Sequence, residues 1–448
     1  MLSIGARDRD QSLIDGAFAL ASRLPGHFRR WAARRAAARG LGACALRAAS
    51  DDAVVLAELG LHIQASRTVG GGRAAVAARA AAAAALGETA RARTLRGDAG
   101  QLSPRQLRLI ASCAAPFDPG WALSLLPESD LESRAACALA AGSLEVAQSL
   151  IERAEPTQQT LYLAAALRAR RGAWRAARAA LNRAFAADGL DPPLASDSDE
   201  ATTLNAFAEA RPVSFADGPL ITVVMSARDA AGTLALSVAS ILRQTWRNLE
   251  LVIVDDGSRD ATGQIARTLA AVDDRVRVLT NHRRPGAYGA RNTGLEAARG
   301  HFIAFQDADD WAHPQRLERQ VGTLGDAKSL TLCRHLRVDV EGRPVSPRVF
   351  PFVRLAMVSV MVRAEAARAL GVFEEVPVGA DSEWLARFDA RFGRRAAPRT
   401  PEVGMVALWT RASLTGSAET GLTGQGLLRR IAYVEHWRRR HAADGATL

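Results

Sequence analysis

The stretch Phe305-Gln306-Asp307-Ala308-Asp309-Asp310-Trp311 decides the fold, because it places three carboxylates within four positions at the end of an apolar run. The run, residues 302–305, predicts a buried strand. Carboxylates this close repel one another unless a cation lies among them. Their hard oxygen ligands suit Mg²⁺ or Mn²⁺. The alternative is that Asp309 or Asp310 caps a helix that begins at Trp311.

The composition limits the class of protein. The chain has 448 residues, enough for two or three domains. We expect no transmembrane helix, since apolar runs of about 18 residues are missing, and no secretory signal. Four cysteines without paired spacing fit a reducing cytoplasm. The net charge of +11 is almost all arginine, since Lys328 is the only lysine, and without interleaved aromatic residues it does not predict nucleic-acid binding.

Residues 1–210 have the composition of an all-α region, rich in alanine, leucine and arginine. A glycine is followed five residues later by an alanine at Gly87, Gly142 and Gly172. This helix, glycine turn and helix pattern resembles tetratricopeptide-type hairpins, whose repeat is about 34 residues. It predicts a helical-repeat region with a surface for a protein partner. An alanine-rich bundle in which the spacing recurs by composition is the alternative.

A linker at residues 211–218 leads into residues 219–325, where β-branched apolar runs alternate with helical segments. This alternation predicts a parallel, doubly wound sheet. Two of its strands end in the carboxylates of Asp255-Asp256 and Asp307-Ala308-Asp309, and Arg291 lies near the start of a helix between them. At one rim of a sheet, these groups could bind a nucleotide and a metal ion. For Asp255-Asp256-Gly257-Ser258 alone, a capped turn is the alternative.

Four ordered motifs in this half resemble family 2 glycosyltransferases. They are Met225-Ser226-Ala227 with Thr233-Leu234 and residues 240–246, then residues 249–262, 289–295 and 305–314. The resemblance implies an α/β GT-A fold with a Rossmann-like, mostly parallel sheet, here preceded by the all-α helical-repeat domain. It also implies a nucleotide-diphosphate sugar donor, with a UDP-sugar favoured, a divalent metal (Mn²⁺ or Mg²⁺) and inversion at the anomeric carbon.

The resemblance implies roles for single residues as well. Asp309 would bind the metal, and Asp307 would face the metal or the ribose. The residues expected to contact the nucleotide-sugar are Ala227, Asp229, Asp255, Asp256, Arg291, Asp307 and Arg411. The chain has Arg228-Asp229 where many relatives have Tyr-Asn, so an acceptor is kept at the second position and an amide donor is lost.

Residues 326–421 are expected to form the acceptor-binding half, with Leu330–Val338 as an edge strand. Family members place a general base at a helix start in this half. The resemblance assigns that base to Asp381, with Glu383 as the second candidate, and the alternative is that Asp381 only caps the helix. Arg411 lies in a late loop where many relatives have a metal-binding histidine, and it could pair with the diphosphate instead.

Residues 422–448 predict an amphipathic basic helix. Leu427, Ile431 and Val434 form an apolar stripe flanked by arginines. Such a helix could rest on an anionic bilayer, which would place the protein at the inner face of the plasma membrane. Packing against its own domain is the alternative, since arginines near a helix C-terminus are favoured by the helix dipole.

The sequence therefore predicts a cytoplasmic, metal-dependent inverting glycosyltransferase acting on a glycan or lipid-linked acceptor. A role in bacterial surface polysaccharide synthesis rests on family analogy. One alternative is a non-catalytic nucleotide-sugar-binding or scaffold protein that acts through its helical repeats. Another is a nucleotidyltransferase, a class that usually needs a phosphate loop rich in glycine and lysine, which Ser226–Gly232 does not supply.

Overall fold

The computed structural model describes residues 30, 33–34, 52–195, 197–211, 214–411, 413–422 and 424–443. Their contacts divide them into two compact units. One unit contains the described residues up to Pro127 and those after Leu422, and the other is Glu128–Leu422. Parts of the predicted helical region, linker and C-terminal helix, and Cys44, lie outside the described residues. The domain boundaries drawn from the sequence stay predictions.

The described part of residues 1–210 is helical, as predicted. Gly142 and Gly172 separate paired helices and have φ angles of 79° and 71°. This backbone conformation is unfavourable for any residue that has a Cβ atom. The tetratricopeptide classification stays a prediction. The helices are α1 (Ala53–Glu58), α2 (His62–Arg67), α3 (Arg73–Ala85), α4 (Thr89–Asp98), α5 (Pro104–Ala114), α6 (Pro119–Leu125), α7 (Leu131–Ala140), α8 (Leu144–Arg153), α9 (Gln158–Arg170), α10 (Trp174–Ala187) and α11 (Leu204–Phe207).

The second unit is built around a sheet of ten strands in the order β3-β2-β1-β4-β9-β6-β10-β5, with the short β7 and β8 paired to β6. Along the chain its elements are β1 (Ile221–Ala227), α12 (Leu234–Leu242), β2 (Leu249–Asp255), α13 (Thr262–Val272), β3 (Val276–Thr280), α14 (Ala287–Ala297), β4 (Phe302–Asp307), β5 (Asp310–Ala312), α15 (Arg316–Leu324), β6 (Leu330–Val338), β7 (Pro344–Val345), β8 (Arg354–Leu355), β9 (Met361–Arg363), α16 (Ala364–Leu370), α17 (Ala380–Phe392) and β10 (Arg399–Leu408).

The first four strands are parallel, as predicted. Apolar side chains of these strands are buried on both faces of the sheet. Val223 and Met225 belong to one apolar cluster, and Val224 belongs to another on the opposite face. β1 lies between β2 and β4, so the order in which the chain adds strands to the sheet reverses after β3. Ligands bind at the carboxyl ends of strands at such a point. There, Asp255 pairs with Ala227 and Asp307 pairs with Ser226.

The structure excludes one alternative and corrects one expectation. Trp311 does not begin a helix, because Asp310–Ala312 forms β5, which pairs antiparallel with residues 405–407 of β10, and α15 begins only at Arg316. Leu330–Val338 is not an edge strand, because β6 lies between β9 and β10. The first finding places residues of the acidic stretch in an edge strand, and the second places β6 in the interior of a sheet that is mixed beyond β4.

Within the second unit, α9 and α10 pack against the sheet. The Gln159 amide donates to the carbonyl of Val353 and accepts from its N–H, at 3.0 and 2.9 Å. Asp188, just after α10, accepts from the backbone N–H of Val403 in β10 at 3.0 Å. Phe185 stacks on His313, with ring centroids 5.6 Å apart. This helical pair is therefore part of the same core as the sheet.

The C-terminal helix α18 (Gly424–Ala443) belongs to the first unit and packs on α2. Its Trp437 is buried, and the Glu435 carboxylate accepts hydrogen bonds from the backbone of Ile63 and the side chain of Gln64. These contacts agree with packing on its own domain, the alternative considered for this helix. In the described part of the chain, we find no helix with the length and apolar character needed to cross a membrane.

Candidate active site

The acidic stretch forms a compact carboxylate cluster between β4 and β5. Oxygen atoms of Asp307, Asp309 and Asp310 lie within 4.8 Å of one another. Asp307 is the last residue of β4 and Asp310 the first of β5, so two strands fix the two ends of the cluster. Three hard oxygen donors at this spacing fit Mg²⁺ or Mn²⁺. The donor set therefore agrees with the predicted metal, for which Asp309 and Asp307 were the expected ligands.

The protonation of this cluster reflects its surroundings. Burial raises the pKa of Asp309 to about 6, and repulsion from Asp307 adds to the rise. The pKa of Asp310 is also raised well above its ordinary value, mainly because the carboxyl is buried and in addition because Asp309 and Asp307 repel its charge. A divalent cation would offset both effects by supplying positive charge among the carboxylates.

Buried polar side chains hold the backbone around the cluster. Arg316, fully enclosed, donates to the carbonyl of Phe305 at 2.7 Å and also to the side chain of Gln306. The Gln306 amide in turn donates to the carbonyl of Asp310 at 2.9 Å. The Ser237 hydroxyl donates to the carbonyl of Asp307 at 2.9 Å. These bonds fix the turn between β4 and β5, and thus the spacing of the carboxylates.

Arg291 connects the cluster to the rest of the site. Its Nη2 donates to Oδ1 of Asp307 at 2.7 Å, and its guanidinium lies over the ring of Tyr288, 5.3 Å from the centroid. Burial alone would lower the pKa of Arg291, but Asp307, Tyr288 and Asp381 together raise it. Arg291 therefore stays charged although it is only 6% exposed. Its helix α14 places it as predicted, beside the acidic strand end.

Arg291 and the predicted base Asp381 line one pocket. The other lining residues are apolar, and the volume is about 10 Å³, roughly room for one water molecule. They are Phe305, Met357, Val358, Val360, Phe373 and Trp384. The pocket is too small to hold a sugar, and what it shows is that Asp381 and Arg291 reach the same apolar-walled space.

The structure separates the two candidates for the general base. Asp381 lies in the first turn of α17, is half-buried, and accepts from the backbone N–H of Ser382 at 2.7 Å. Glu383 is fully buried and binds the Nε of Arg387 through both oxygens, at 2.8 and 3.0 Å. Arg387 also donates to the carbonyls of Leu370 and Val372. Glu383 is therefore engaged in holding α17, and Asp381 lines the pocket.

The residues predicted to bind the base and ribose meet at the ends of β1 and β2. The Asp255 carboxylate accepts from the Ser258 hydroxyl at 2.6 Å. Buried Asp256 accepts from Asn281, from the Gly286 backbone and from Arg228, at 2.6, 2.8 and 3.3 Å. Ala227 accepts from the Asp256 backbone N–H at 2.9 Å.

Asp229 is exposed in the same loop. It has a φ angle of 47° and accepts from the backbone N–H of Arg259 at 2.7 Å. Arg228 and Asp229, which differ from the Tyr-Asn of many relatives, both have structural partners. Arg228 pairs with Asp256, and Asp229 holds the loop that contains Arg259. Arg411 is exposed in the segment after β10.

Sequence reasoning missed two polar residues near the site. Asn281 follows β3 and joins three segments: it donates to Asp256, accepts from the Thr293 hydroxyl and accepts from the Arg283 backbone. A polar residue directly after a strand was the available signal. Arg337, near the end of β6, went unnoticed because that strand was expected at an edge.

One comparison bears directly on these elements. Residues 222–390 match the family described as glycosyl transferase family 2. The second unit contains a family 2 glycosyltransferase domain. The matched stretch runs from β1 into α17 and includes the carboxylate cluster, Arg291 and Asp381. Together with the order of the strands, the match confirms the predicted fold class, a GT-A domain preceded by helices.

Named relatives match shorter parts of the glycosyltransferase domain. The putative glycosyltransferase EpsH of Bacillus subtilis is 37% identical over 117 residues, which are 26% of this chain and 34% of EpsH. The Escherichia coli protein named UDP-Glc:alpha-D-GlcNAc-diphosphoundecaprenol beta-1,3-glucosyltransferase WfgD is 41% identical over 108 residues, 24% of this chain and 42% of WfgD. The succinoglycan biosynthesis protein ExoO of Rhizobium meliloti is 39% identical over 139 residues, 31% of this chain and 39% of ExoO. The chain therefore spans less than half the length of each of these relatives.

Solved structures give a weaker likeness. Residues 1–349 of S. aureus TarS in complex with UDP align with a TM-score of 0.35 and 17% identity, covering 50% of this chain and 70% of that one. GalNAc-T7 with UDP, GalNAc and Mn²⁺ aligns with a TM-score of 0.39 and 15% identity, covering 49% of this chain and 48% of that one. Both scores are low, and the fold assignment rests on the sheet and on the family match.

Proposed function

We propose that the protein is an inverting glycosyltransferase that transfers a sugar from a nucleotide-diphosphate sugar, with a UDP-sugar favoured, to an acceptor hydroxyl. The observation that supports this proposal is the link from the carboxylate cluster through Arg291 to the pocket lined by Asp381. It joins a site suited to a metal and a diphosphate with a carboxylate suited to act as a base. Family 2 glycosyltransferase domains supply the reaction class.

In the proposed reaction Asp381 takes the proton of the acceptor hydroxyl while the hydroxyl oxygen forms a bond to the anomeric carbon. The bond between that carbon and the diphosphate oxygen breaks, and its electron pair leaves with the diphosphate. Attack opposite the leaving group inverts the configuration. Arg291 orients Asp307 and contributes positive charge beside the reacting groups.

Asp309, Asp307 and Asp310 would hold a Mn²⁺ or Mg²⁺ ion. When bound, this ion supplies positive charge that stabilises the leaving diphosphate. The bonds of Ser237 and Gln306 to the cluster backbone keep the carboxylates close enough for one ion to reach all three. The nucleotide would lie along the ends of β1 and β2, near Asp229, Asp255 and Asp256.

The acceptor is proposed to be a glycan or a lipid-linked sugar in bacterial surface polysaccharide synthesis. This part draws on the names of WfgD, a glucosyltransferase acting on a diphosphoundecaprenol-linked sugar, and of ExoO, a succinoglycan biosynthesis protein. A cytoplasmic location, contact with the inner face of the membrane and a protein partner for the helical region belong to the same proposal.

The test is nucleotide release from a panel of UDP- and GDP-sugars, with Mn²⁺ or with EDTA. We expect slow hydrolysis of one donor that depends on the metal and is lost in Asp309→Ala. The control is Asp326→Ala, which removes an exposed carboxylate after α15 and should release nucleotide at the wild-type rate. Proton NMR of the sugar first released reports inversion. Tight donor binding without release, unchanged by Asp381→Asn, would favour a non-catalytic nucleotide-sugar-binding protein.

A further inference from the structure

Arg337 and Asp310 lie on either side of the same residue of β10. Ala407 pairs with Arg337 in the parallel β6 and with Asp310 in the antiparallel β5. Paired residues on neighbouring strands project from the same face of a sheet. Because Ala407 has only a methyl group, it leaves room for the long Arg337 side chain to extend toward the carboxylate cluster.

The Arg337 guanidinium lies close enough to the cluster to interact electrostatically with the carboxylates of Asp309 and Asp310. Arg337 thus supplies positive charge to the cluster from β6, and Arg291 does so from α14 through its hydrogen bond to Asp307.

His335, Thr415 and Trp409 are among the neighbours that hold the Arg337 side chain in place. Its Nε donates to Nε2 of His335 at 3.0 Å, and its Nη1 donates to the Thr415 hydroxyl at 2.8 Å. Its guanidinium also lies 5.2 Å from the centroid of the Trp409 ring. Burial lowers the pKa of His335 to about 3, so the imidazole is neutral and can accept this hydrogen bond. A guanidinium fixed in this way is pre-organised for an anion.

The loop that supplies Thr415 is itself folded tightly. The Thr415 carbonyl accepts from the backbone N–H of Leu422 at 3.0 Å. A Cβ atom at Gly416 would lie 1.8 Å from the Thr410 carbonyl oxygen, so the chain can turn this closely only with glycine there. Thr415 is therefore a fixed partner of the Arg337 guanidinium.

We propose that Arg337 binds the diphosphate of the donor beside the cation site, the role that the family resemblance suggested for Arg411. The inference rests on the proposed function. A planar guanidinium can bind two phosphate oxygens at once and in a fixed orientation, beside those that a divalent ion would bind. Arg411 is exposed in the segment after β10, whereas Arg337 is fixed beside the carboxylates.

The test measures binding of UDP and UMP by calorimetry, with the full chain in saturating Mn²⁺. We expect Arg337→Ala to weaken UDP binding at least tenfold, about 1.4 kcal/mol, and UMP binding less than threefold, because UMP lacks the second phosphate. Arg411→Ala should change neither affinity by more than about twofold. Arg343→Ala, which removes a guanidinium paired with Asp339 beyond the same strand, is the matched control.

Each outcome decides the assignment. Unchanged UDP affinity in Arg337→Ala, an equal loss of UDP and UMP affinity, or a tenfold loss confined to Arg411→Ala would overturn it. If Arg337→Ala fails to fold, as judged by circular dichroism, Arg337→Lys decides, because it keeps the charge and loses the bidentate geometry. It should weaken UDP binding at least threefold and leave UMP binding unchanged, and wild-type UDP affinity would refute the assignment. A wild-type chain that binds neither UDP nor GDP would overturn the proposed function, and this assignment with it.

Discussion

Arg291 and Asp307 are joined by a hydrogen bond of 2.7 Å that connects helix α14 to the end of β4. The guanidinium is 7% exposed and the carboxylate 33%. The guanidinium end of the pair is thus buried, and the carboxylate end is partly exposed. Asp307 can therefore be oriented by Arg291 and still reach a metal ion or a ribose.

Replacing Arg291 by methionine should lower kcat/KM for nucleotide release about 100-fold, because the change removes a fixed charge beside the reacting groups and frees Asp307 to rotate. Arg277→Met is the matched control. It removes a guanidinium bound to Glu250 at 3.0 Å near the opposite end of the strands, and it should leave kcat/KM unchanged. Wild-type kcat/KM in Arg291→Met would show that the Asp307 link has no part in the reaction.

Asn292 holds the segment that leads to the Asp381 helix. Fully buried, it donates to the Phe373 carbonyl and accepts from the Phe373 N–H, both at 2.9 Å. Asn292→Ala leaves these backbone groups without partners and should lower the free energy of unfolding by about 2 kcal/mol. It should also lower kcat, since the pocket wall that contains Phe373 would shift.

Asn182 provides the control for this change. Its amide makes the same pair of bonds to the backbone of Leu194, at 2.8 and 3.1 Å, in the helical part of the second unit. Asn182→Ala should lower stability without lowering kcat. Urea unfolding and nucleotide release measured on both variants separate the two effects, and equal losses of kcat would mean that the effect of Asn292 is only on stability.

The carboxylate cluster should make the metal-free protein less stable at neutral pH. The pKa of Asp309 is about 6 in the folded state against an ordinary 3.8, so the folded state binds the proton more tightly than the unfolded state. The stabilisation of the folded state by protonation of Asp309 is complete below about pH 4 and is lost as the pH rises through 6. In EDTA, Asp309→Asn should be more stable than wild type above pH 6, by on the order of 3 kcal/mol, and equal to it near pH 4.

Adding Mn²⁺ should reverse the order above pH 6, because the ion stabilises only a chain that retains its ligands. Thermal unfolding across this pH range checks the prediction, with Asp326→Asn as the control for removal of a carboxylate. A constant difference between Asp309→Asn and wild type at all pH values would contradict the raised pKa.

The parallel half of the sheet could be predicted because its information is local. Leu249–Val254 and Phe302–Phe305 are apolar runs long enough for buried strands, and each ends in carboxylates that mark the rim. The interior position of β6 and the strand at Asp310–Ala312 could not be predicted, because both depend on pairing with β10, which lies 60 or more residues further along the chain. The local sequence of a strand does not specify such a distant pairing partner.

The choice between Asp381 and Glu383 shows a signal that was present and unused. Both acids lie in the first turn of one helix, so position along the chain does not separate them. Arg387, four residues after Glu383, is at the spacing at which helical side chains form ion pairs, and the structure contains that pair. That Asp381 lines a pocket with Arg291 could not be inferred, because the two residues are 90 positions apart in the sequence.

The last prediction concerns where the second unit begins. A fragment of residues 128–422 should fold, because it matches one compact unit and keeps α10 and α11 against the sheet. A fragment of residues 211–422, cut at the boundary drawn from sequence, would expose two aromatic contacts: Phe185 with His313 at 5.6 Å and Phe207 with Trp311 at 5.2 Å between ring centroids. It would also lose the bonds of Gln159 and Asp188.

We therefore expect the shorter fragment to aggregate or to unfold without a cooperative transition, since its newly exposed surface is apolar and lies directly behind β5. Circular dichroism melts and size-exclusion chromatography of the two fragments make the comparison. In the longer fragment, Phe185→Ala should lower the free energy of unfolding by about 3 kcal/mol, as expected for a large buried aromatic side chain. A cooperative melt of residues 211–422 at the temperature of the longer fragment would show that the helices removed from it form a separate domain resting on the sheet.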